Sequence, residues 1–243
     1  MIKYLVFDVD NTLIDFDMSL LRAEKAIADR FGIQLSEDYF TEAAKMINAA
    51  WSEHQMSNTD DPDIQNEWHR RYRGFLLHHY EKMSQRYGIA CDPQELLELH
   101  FRSIAKMHHT MEKETLEIYA ALSKRFRNVL ASNSVQEIKG RFSPFVPYTY
   151  KAFISDEIHA VKPDSLFFRV VISCLGCTPA ECLMIGDSVS DDMKGAKSAG
   201  FHTCWYRRGK GSVECEHADY HIDSIAELPG LLEGMTDILR QGG

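Results

Sequence analysis

The chain has 243 residues, 44% hydrophobic and 26% charged, with a formal net charge of −9; that length holds one large domain or a core with a second lobe. The acidic balance argues against broad nucleic-acid binding, which calls for a basic face, and no apolar run approaches a membrane span. Six scattered cysteines, at 91, 174, 177, 182, 204 and 215, do not resemble a disulfide framework in a chain of this size. With Met1 leading almost at once into a strand, a cytoplasmic protein without a signal or transit peptide is expected.

In chain order, the apolar run Tyr4 to Phe7 predicts a short strand buried on both faces. It runs straight into Asp8-Val-Asp-Asn11, so two carboxylates one residue apart stand at a strand end, where parallel α/β proteins place their sites. Such a pair repels itself unless a cation joins it or one member keeps its proton. A hard cation such as Mg²⁺ suits the first case and general acid chemistry the second. Taken alone, the same residues also suit a plain strand-to-turn junction.

From about Asp17 to His109 the pattern is helical. One helix covers Ser19 to Phe31 and stops at Gly32; Ser36 with Asp38 opens a second, to about Met56. Residues 57–63 are polar and read as a loop. A long helix follows to about Tyr87, ended by Gly88, and Asp92-Pro-Gln-Glu95 supplies an N-cap, a proline and an acidic first turn for a fourth, towards His109. After Lys113 helices and strands alternate: a helix to Phe126, a strand at Val129, a helix from Val135, a strand near Phe153 and a helix from Ser165 to about Leu175. A strand at Leu183 to Ile185, a helix from Asp191 to Ala199, and strands at His202–Tyr206 and Tyr220–Ile222 complete it. Alternation of this kind predicts a parallel sheet with helices on both faces.

Three further islands end apolar runs or precede a proline: Asn128-Val-Leu-Ala-Ser-Asn-Ser134, Asp156-Glu-Ile-His-Ala-Val-Lys-Pro163 and Leu183-Met-Ile-Gly-Asp-Ser-Val-Ser-Asp-Asp192. With Asp8-x-Asp10-x-Thr12, their order and spacing resemble the haloacid dehalogenase-like (HAD) superfamily and its phosphatases in particular. Ser132 matches the second motif, Lys162 the third and Gly186-Asp187-x-x-x-x-Asp192 the fourth. The resemblance implies an α/β, Rossmann-like parallel core of residues 1–16 and 110–243, with an α-helical cap inserted at residues 17–109. Nearest is the pyrimidine 5′-nucleotidase branch, through residues 8–17, Ile47-Asn-Ala-Ala-Trp51 and Ala199-Gly-Phe-His-Thr-Cys-Trp205. The chain departs from that branch between Ser52 and Trp68, inside the cap.

That likeness implies Mg²⁺-dependent hydrolysis of a small phosphorylated metabolite, a nucleoside 5′-monophosphate being one candidate. Asp8 is the expected nucleophile, forming an aspartyl-phosphate, and Asp10 the expected general acid and base. The implied metal set is the Asp8 carboxylate, the Asp10 backbone carbonyl and the Asp187 carboxylate, with Asp192 or Asp191 holding a metal-bound water. Ser132, helped by the Asn133 backbone N–H, would bind phosphate, and Lys162 would offset the charge of phosphoryl group and carboxylates. Thr12 is expected to shape the turn by a side-chain bond, and Asn11 to tolerate left-handed backbone. A sugar-phosphate phosphatase, a phosphomutase of the same superfamily and a non-catalytic phosphometabolite-binding module are the alternatives. Neither a nucleic-acid polymer nor a membrane is an expected partner, and the protein is expected to be a monomer or dimer.

Weaker signals have plainer readings. Cys174-Leu-Gly-Cys177 lacks a second pair at zinc spacing and reads as helix-end packing. Adjacent histidines at 78–79 and 108–109 point apart on a helix and read as surface or partly buried. Trp51, at helical spacing from Ile47, reads as cap core, and Lys45 and Lys82 have no context for Schiff-base chemistry.

Overall fold

Every residue of β1 (Tyr4–Phe7) is buried, as a strand covered on both faces requires. The computed structural model describes residues 1–34, 37–209 and 214–241; Ser36, expected to help open a helix, lies outside them. After β1 the chain forms four helices, α1 (Phe16–Phe31), α2 (Glu37–Glu53), α3 (Pro62–Tyr87) and α4 (Pro93–Ala105). Alternation follows: α5 (Thr115–Leu122), β2 (Arg127–Ser132), β3 (Lys151–Ile154), α6 (Ser155–Ile158), α7 (Ser165–Leu175) and β4 (Cys182–Gly186). The chain closes with α8 (Gly195–Ser198), β5 (His202–Tyr206), β6 (Tyr220–Ile222) and α9 (Leu228–Gln241).

Among the described residues the strands form one six-stranded sheet in the order β3-β2-β1-β4-β5-β6, and every pairing is parallel. The parallel sheet expected from the alternation, and with it the α/β, Rossmann-like core that the resemblance implies, is therefore what forms. Successive β1 residues feed opposite faces. Leu5 and Phe7 join Leu130, Leu183, Ile185 and Tyr119 on one side, while Tyr4 and Val6 join Val129, Met184, Phe167 and Phe168 on the other.

The chain divides into two compact units, Met1–Asp15 with Thr110–Asn133 and Phe142–Gly243, and Phe16–His109 with Ser134–Arg141. In the first, an isolated antiparallel bridge joins Ile14 to Thr110. In the second, Ser134–Arg141 associates with the helices through Glu137, whose carboxylate takes a two-point bond from the Arg73 guanidinium at 2.7 and 2.8 Å. This segment was expected to open an α-helix; it forms a 3-10 helix, Gln136–Phe142. Pro144, just beyond, has no backbone N–H to extend the ladder.

Local chemistry sets the helix ends. Asp61 and Asp92 cap α3 and α4 by accepting the N–H groups of Asp63 and Gln94, each at 2.9 Å, and Pro62 and Pro93 follow them. The expected loop is thus shorter than 57–63, because Pro62 already belongs to α3. The helical unit also buries a polar cluster. Glu24 accepts from His79 Nε2 at 3.0 Å, from the Tyr80 hydroxyl at 2.9 Å and from the Tyr39 hydroxyl at 3.3 Å. Tyr80 lies 2.7 Å from His100 Nδ1. Its single proton goes to the acceptor-only carboxylate, so His100 donates to Tyr80 through Nδ1–H. His79 is fully buried, which corrects its reading as a surface or partly buried side chain; the Glu24 carboxylate is what makes that burial tolerable.

Candidate active site

Parallel register brings the motif residues together. Phe7 is level with Leu130 of β2 and Ile185 of β4, and the Asp8 N–H donates to the Ile185 carbonyl at 2.8 Å. Asp8, Ser132 and Asp187 therefore stand at the carboxyl ends of the three central strands. There β2 and β3 run to one side of β1 and β4, β5 and β6 to the other, and such a switch point opens a crevice for ligands.

Beyond Asp8 the backbone turns tightly. The Val9 carbonyl accepts from Thr12, Leu13 and Ile14, and Asn11 N–H donates to the Ile14 carbonyl at 2.7 Å. Asn11 sits at φ 62°, in the left-handed region asparagine tolerates, as expected. Asp10 is half-buried on this turn. The expectation for Thr12 fails: its hydroxyl is fully buried and makes no hydrogen bond, because backbone N–H groups already close the turn.

Lys162 is the centre of the charge arrangement. Buried to 1% exposure, its ammonium donates to Asp8 Oδ1 at 2.7 Å, to Asp192 Oδ1 at 2.7 Å and to the Ala131 carbonyl at 2.9 Å, using all three protons. Asn133 fixes the lysine's backbone: its side-chain N–H donates to the Lys162 carbonyl at 2.8 Å and its side-chain oxygen accepts the Lys162 N–H at 2.7 Å. Sequence reasoning gave Asn133 only a backbone role and missed this clamp. Beside it, the Ser132 hydroxyl is buried without a partner. A buried hydroxyl left unsatisfied costs free energy unless a ligand completes it.

Two carboxylates share one ammonium, and the balance shows in their acidities. Burial pushes the Asp8 carboxyl up to about 7 against the pull of Lys162, and Asp192 and Asp10 add to the rise. Burial likewise pushes Asp192 up to about 6, again opposed by Lys162. Lys162 itself resists burial, because Asp192 and Asp8 hold its ammonium charged well above the ordinary range. Asp187 adds a third carboxylate: oxygen atoms of Asp8, Asp187 and Asp192 lie within 4.8 Å of one another. Arg208 reaches Asp187 at 3.3 Å. An all-oxygen donor set short of positive charge fits a hard divalent cation such as Mg²⁺.

Asp192 is positioned by the turn after β4. The segment expected as an α-helix from Asp191 begins instead as a π-helical turn, Val189–Lys194, which runs on into α8. This turn swings Asp192 back so that its second oxygen accepts the Ser188 N–H at 3.1 Å. Gly186 makes room: a Cβ there would collide with the Asp192 carboxylate. Asp191 is more exposed, its N–H held by the Ser188 hydroxyl.

The weaker candidates fall elsewhere. Trp51 packs edge-on against Phe75, ring centres 5.1 Å apart, and its indole N–H donates to the Ser57 hydroxyl at 2.7 Å, so it serves packing and anchors the following loop. Lys45 and Lys82 make exposed ion pairs with Glu42 and Glu53. Cys174 is exposed on α7, and Cys177 lies just beyond the helix end. Among the described residues, no helix is long and apolar enough to cross a membrane.

Comparison with known proteins decides the family, for the profile of the haloacid dehalogenase-like hydrolases matches residues 2–200. The chain belongs to that family. Among its relatives is the pyrimidine 5′-nucleotidase PynA of Streptococcus pneumoniae, 27% identical over 84% of this chain and 83% of its own. The N-acylneuraminate-9-phosphatase of Rattus norvegicus is 24% identical, over 96% and 95% of the two chains. Among solved structures, the HAD-hydrolase YfnB of Bacillus subtilis, bound to magnesium, superposes with a TM-score of 0.73 at 22% identity, covering 96% of this chain and 99% of that one. The L-2-haloacid dehalogenase of Xanthobacter autotrophicus gives 0.69 at 20% identity, over 97% and 100%. The fold is thus shared with a HAD hydrolase and with a haloacid dehalogenase.

Proposed function

We propose that this HAD hydrolase cleaves small phosphate monoesters through an aspartyl-phosphate on Asp8, with Mg²⁺ as cofactor and nucleoside 5′-monophosphates as the leading substrate class. The observation that carries the reading is the pairing of Asp8 with Lys162, beside a buried Ser132 hydroxyl that has no hydrogen-bond partner among the described residues. Lys162 favours the ionised, nucleophilic form of Asp8, and the Ser132 hydroxyl is available to a phosphoryl oxygen.

In the first step an Asp8 carboxylate oxygen attacks phosphorus, the ester oxygen departs and Asp10 gives it a proton. In the second, Asp10 takes a proton from water, which attacks the phosphoryl group and frees Asp8. Asp8, Asp187 and the Asp10 backbone carbonyl would hold the Mg²⁺, which when bound neutralises charge on the phosphoryl oxygens. Asp192 holds Lys162 in place, and its nearness to Asp187 is compatible with service to the metal's water shell. A haloacid dehalogenase has no leaving alcohol to protonate, so Asp10 favours phosphoryl chemistry.

The helical unit is proposed as the cap that selects the leaving group. Between α1 and α2 it holds a cavity of about 290 Å³, lined by Leu20, Leu21, Phe40, Ala43, Ala44 and Ile47, with Asp17, Glu24 and Asn48 as polar groups. Apolar walls with two or three polar contacts suit a nucleobase, and the likeness to PynA supports that class. The likeness to N-acylneuraminate-9-phosphatase supports a sugar phosphate as the second reading. Initial rates on a panel of nucleoside monophosphates and sugar phosphates, with Mg²⁺ and with a chelator, test the proposal. Metal-dependent phosphate release led by nucleotides is expected. No release from any ester would leave a binding module instead.

A further inference from the structure

The sequence offers Cys174 and Cys177 as the obvious cysteine pair, but the fold pairs Cys177 with Cys182. Their sulfurs lie 3.5 Å apart, with either thiol able to donate. Cys177 follows Gly176, the left-handed residue that ends α7, and Cys182 is the first residue of β4. The four residues between them form a rigid link, in which Thr178 and Glu181 make a capping box around Pro179. The turn therefore holds the two thiols in contact rather than leaving them to meet by diffusion. Exposure is divided between them: Cys182 is fully buried and Cys177 partly exposed. Burial, together with the neighbouring sulfur, pushes the Cys182 thiol well above its ordinary range.

We propose that Cys177 and Cys182 are a reversible thiol–disulfide site, oxidised by a small disulfide such as glutathione disulfide, with Cys177 as the attacking residue. The Cys177 thiolate attacks one sulfur of glutathione disulfide, forming a mixed disulfide and releasing one glutathione thiolate. Cys182 gives up its proton and attacks the Cys177 sulfur, breaking the mixed bond and releasing the second glutathione. Two protein thiols and one glutathione disulfide thus become one protein disulfide and two glutathione thiols. The sulfurs need close only from 3.5 Å to a bond of about 2 Å. The bond would cross-link the end of α7 to the start of β4. Asp187 follows the opposite end of that strand, about 16 Å from Cys182 along it. The modification therefore locks a turn without reaching the carboxylate site.

Treating the purified protein with glutathione disulfide, then alkylating under denaturing conditions, counts the thiols that remain. Six should fall to four, and recover with dithiothreitol. Cleavage after Glu181 separates the two cysteines, so peptides joined across that cut identify the bond by mass. Cys174→Ser should keep the cross-link and Cys177→Ser should lose it, while oxidised protein retains hydrolytic turnover within about twofold. A cross-link carried by Cys174, glutathione left permanently on Cys177, or six thiols surviving would each overturn the proposal.

Discussion

Asp192 stands 30 residues beyond Lys162 in the chain, yet its Oδ1 accepts from the lysine ammonium at 2.7 Å. This bond makes Asp192 a positioning residue for Lys162. Asp192→Asn keeps the shape but removes one charge-assisted bond, worth about 1.5–3 kcal/mol. The expected result is a fall in kcat of about 10- to 100-fold without loss of the folded state. Steady-state kinetics with a melting curve checks this; parental kcat would mean that Asp8 alone suffices to hold Lys162.

Gly186 has a steric reason to lack a side chain, since its Cβ would strike the Asp192 carboxylate. Gly186→Ala should lower kcat/KM at least tenfold and cost about 1–3 kcal/mol of stability, the usual range for overpacking. Gly230→Ala, on α9 with open space around it, is the control and should change neither. Equal behaviour of the two variants would contradict the collision.

Acid–base and metal roles separate at Asp10 and Asp187. Asp10→Asn retains the backbone carbonyl and should keep Mg²⁺ binding while losing about 10²–10⁴-fold in turnover. Asp187→Ala removes a carboxylate ligand and should weaken Mg²⁺ binding itself. Titration calorimetry with Mg²⁺ decides, and the opposite pattern would exchange the roles.

The Glu24 cluster predicts acid sensitivity of the helical unit. Burial pushes His100 down to about 4 from an ordinary 6.5, so the unfolded chain binds the proton more readily. Burial opposes the charge of Glu24, but bonds from His79 and Tyr80 hold its carboxyl below the ordinary range. Both shifts act in one direction: stability is full above about pH 6.5, declines as pH falls through that value, and goes on declining through pH 4. His100 alone accounts for about 3 kcal/mol. Urea melts between pH 7 and pH 4 measure the slope. His100→Gln, which keeps a hydrogen-bonding side chain without titrating, should flatten it; an unchanged slope would contradict the assignment.

How much of this was legible in the sequence depends on range. The carboxyl-end positions of Asp8, Ser132 and Asp187 follow from short apolar runs, because a parallel strand sends whatever ends it to one edge. The cap at Asp92 was legible for the same local reason, whereas the equivalent cap at Asp61 lies inside the loop expected over residues 57–63. What was not legible depends on contacts between distant residues: the Asn133 clamp on Lys162, Asp192 as the lysine's anchor, Cys177 facing Cys182, and Glu137 tying a core-derived segment to α3. The π-helical turn after β4 also escaped the sequence, since its residues suit an ordinary helix and only the fit of Asp192 beneath Gly186 sets its pitch.

The central claim is that Asp8 carries the phosphoryl group. Mixing the protein with a turned-over phosphate ester and Mg²⁺, quenching in acid within the first turnovers, and mapping peptides by mass tests it most directly. A phosphoryl adduct on Asp8, lost on dilution into hydroxylamine and absent from freshly purified Asp8→Asn, is the predicted result. Sustained turnover by Asp8→Asn within about tenfold of the parent, or an adduct on any other residue, would contradict the account.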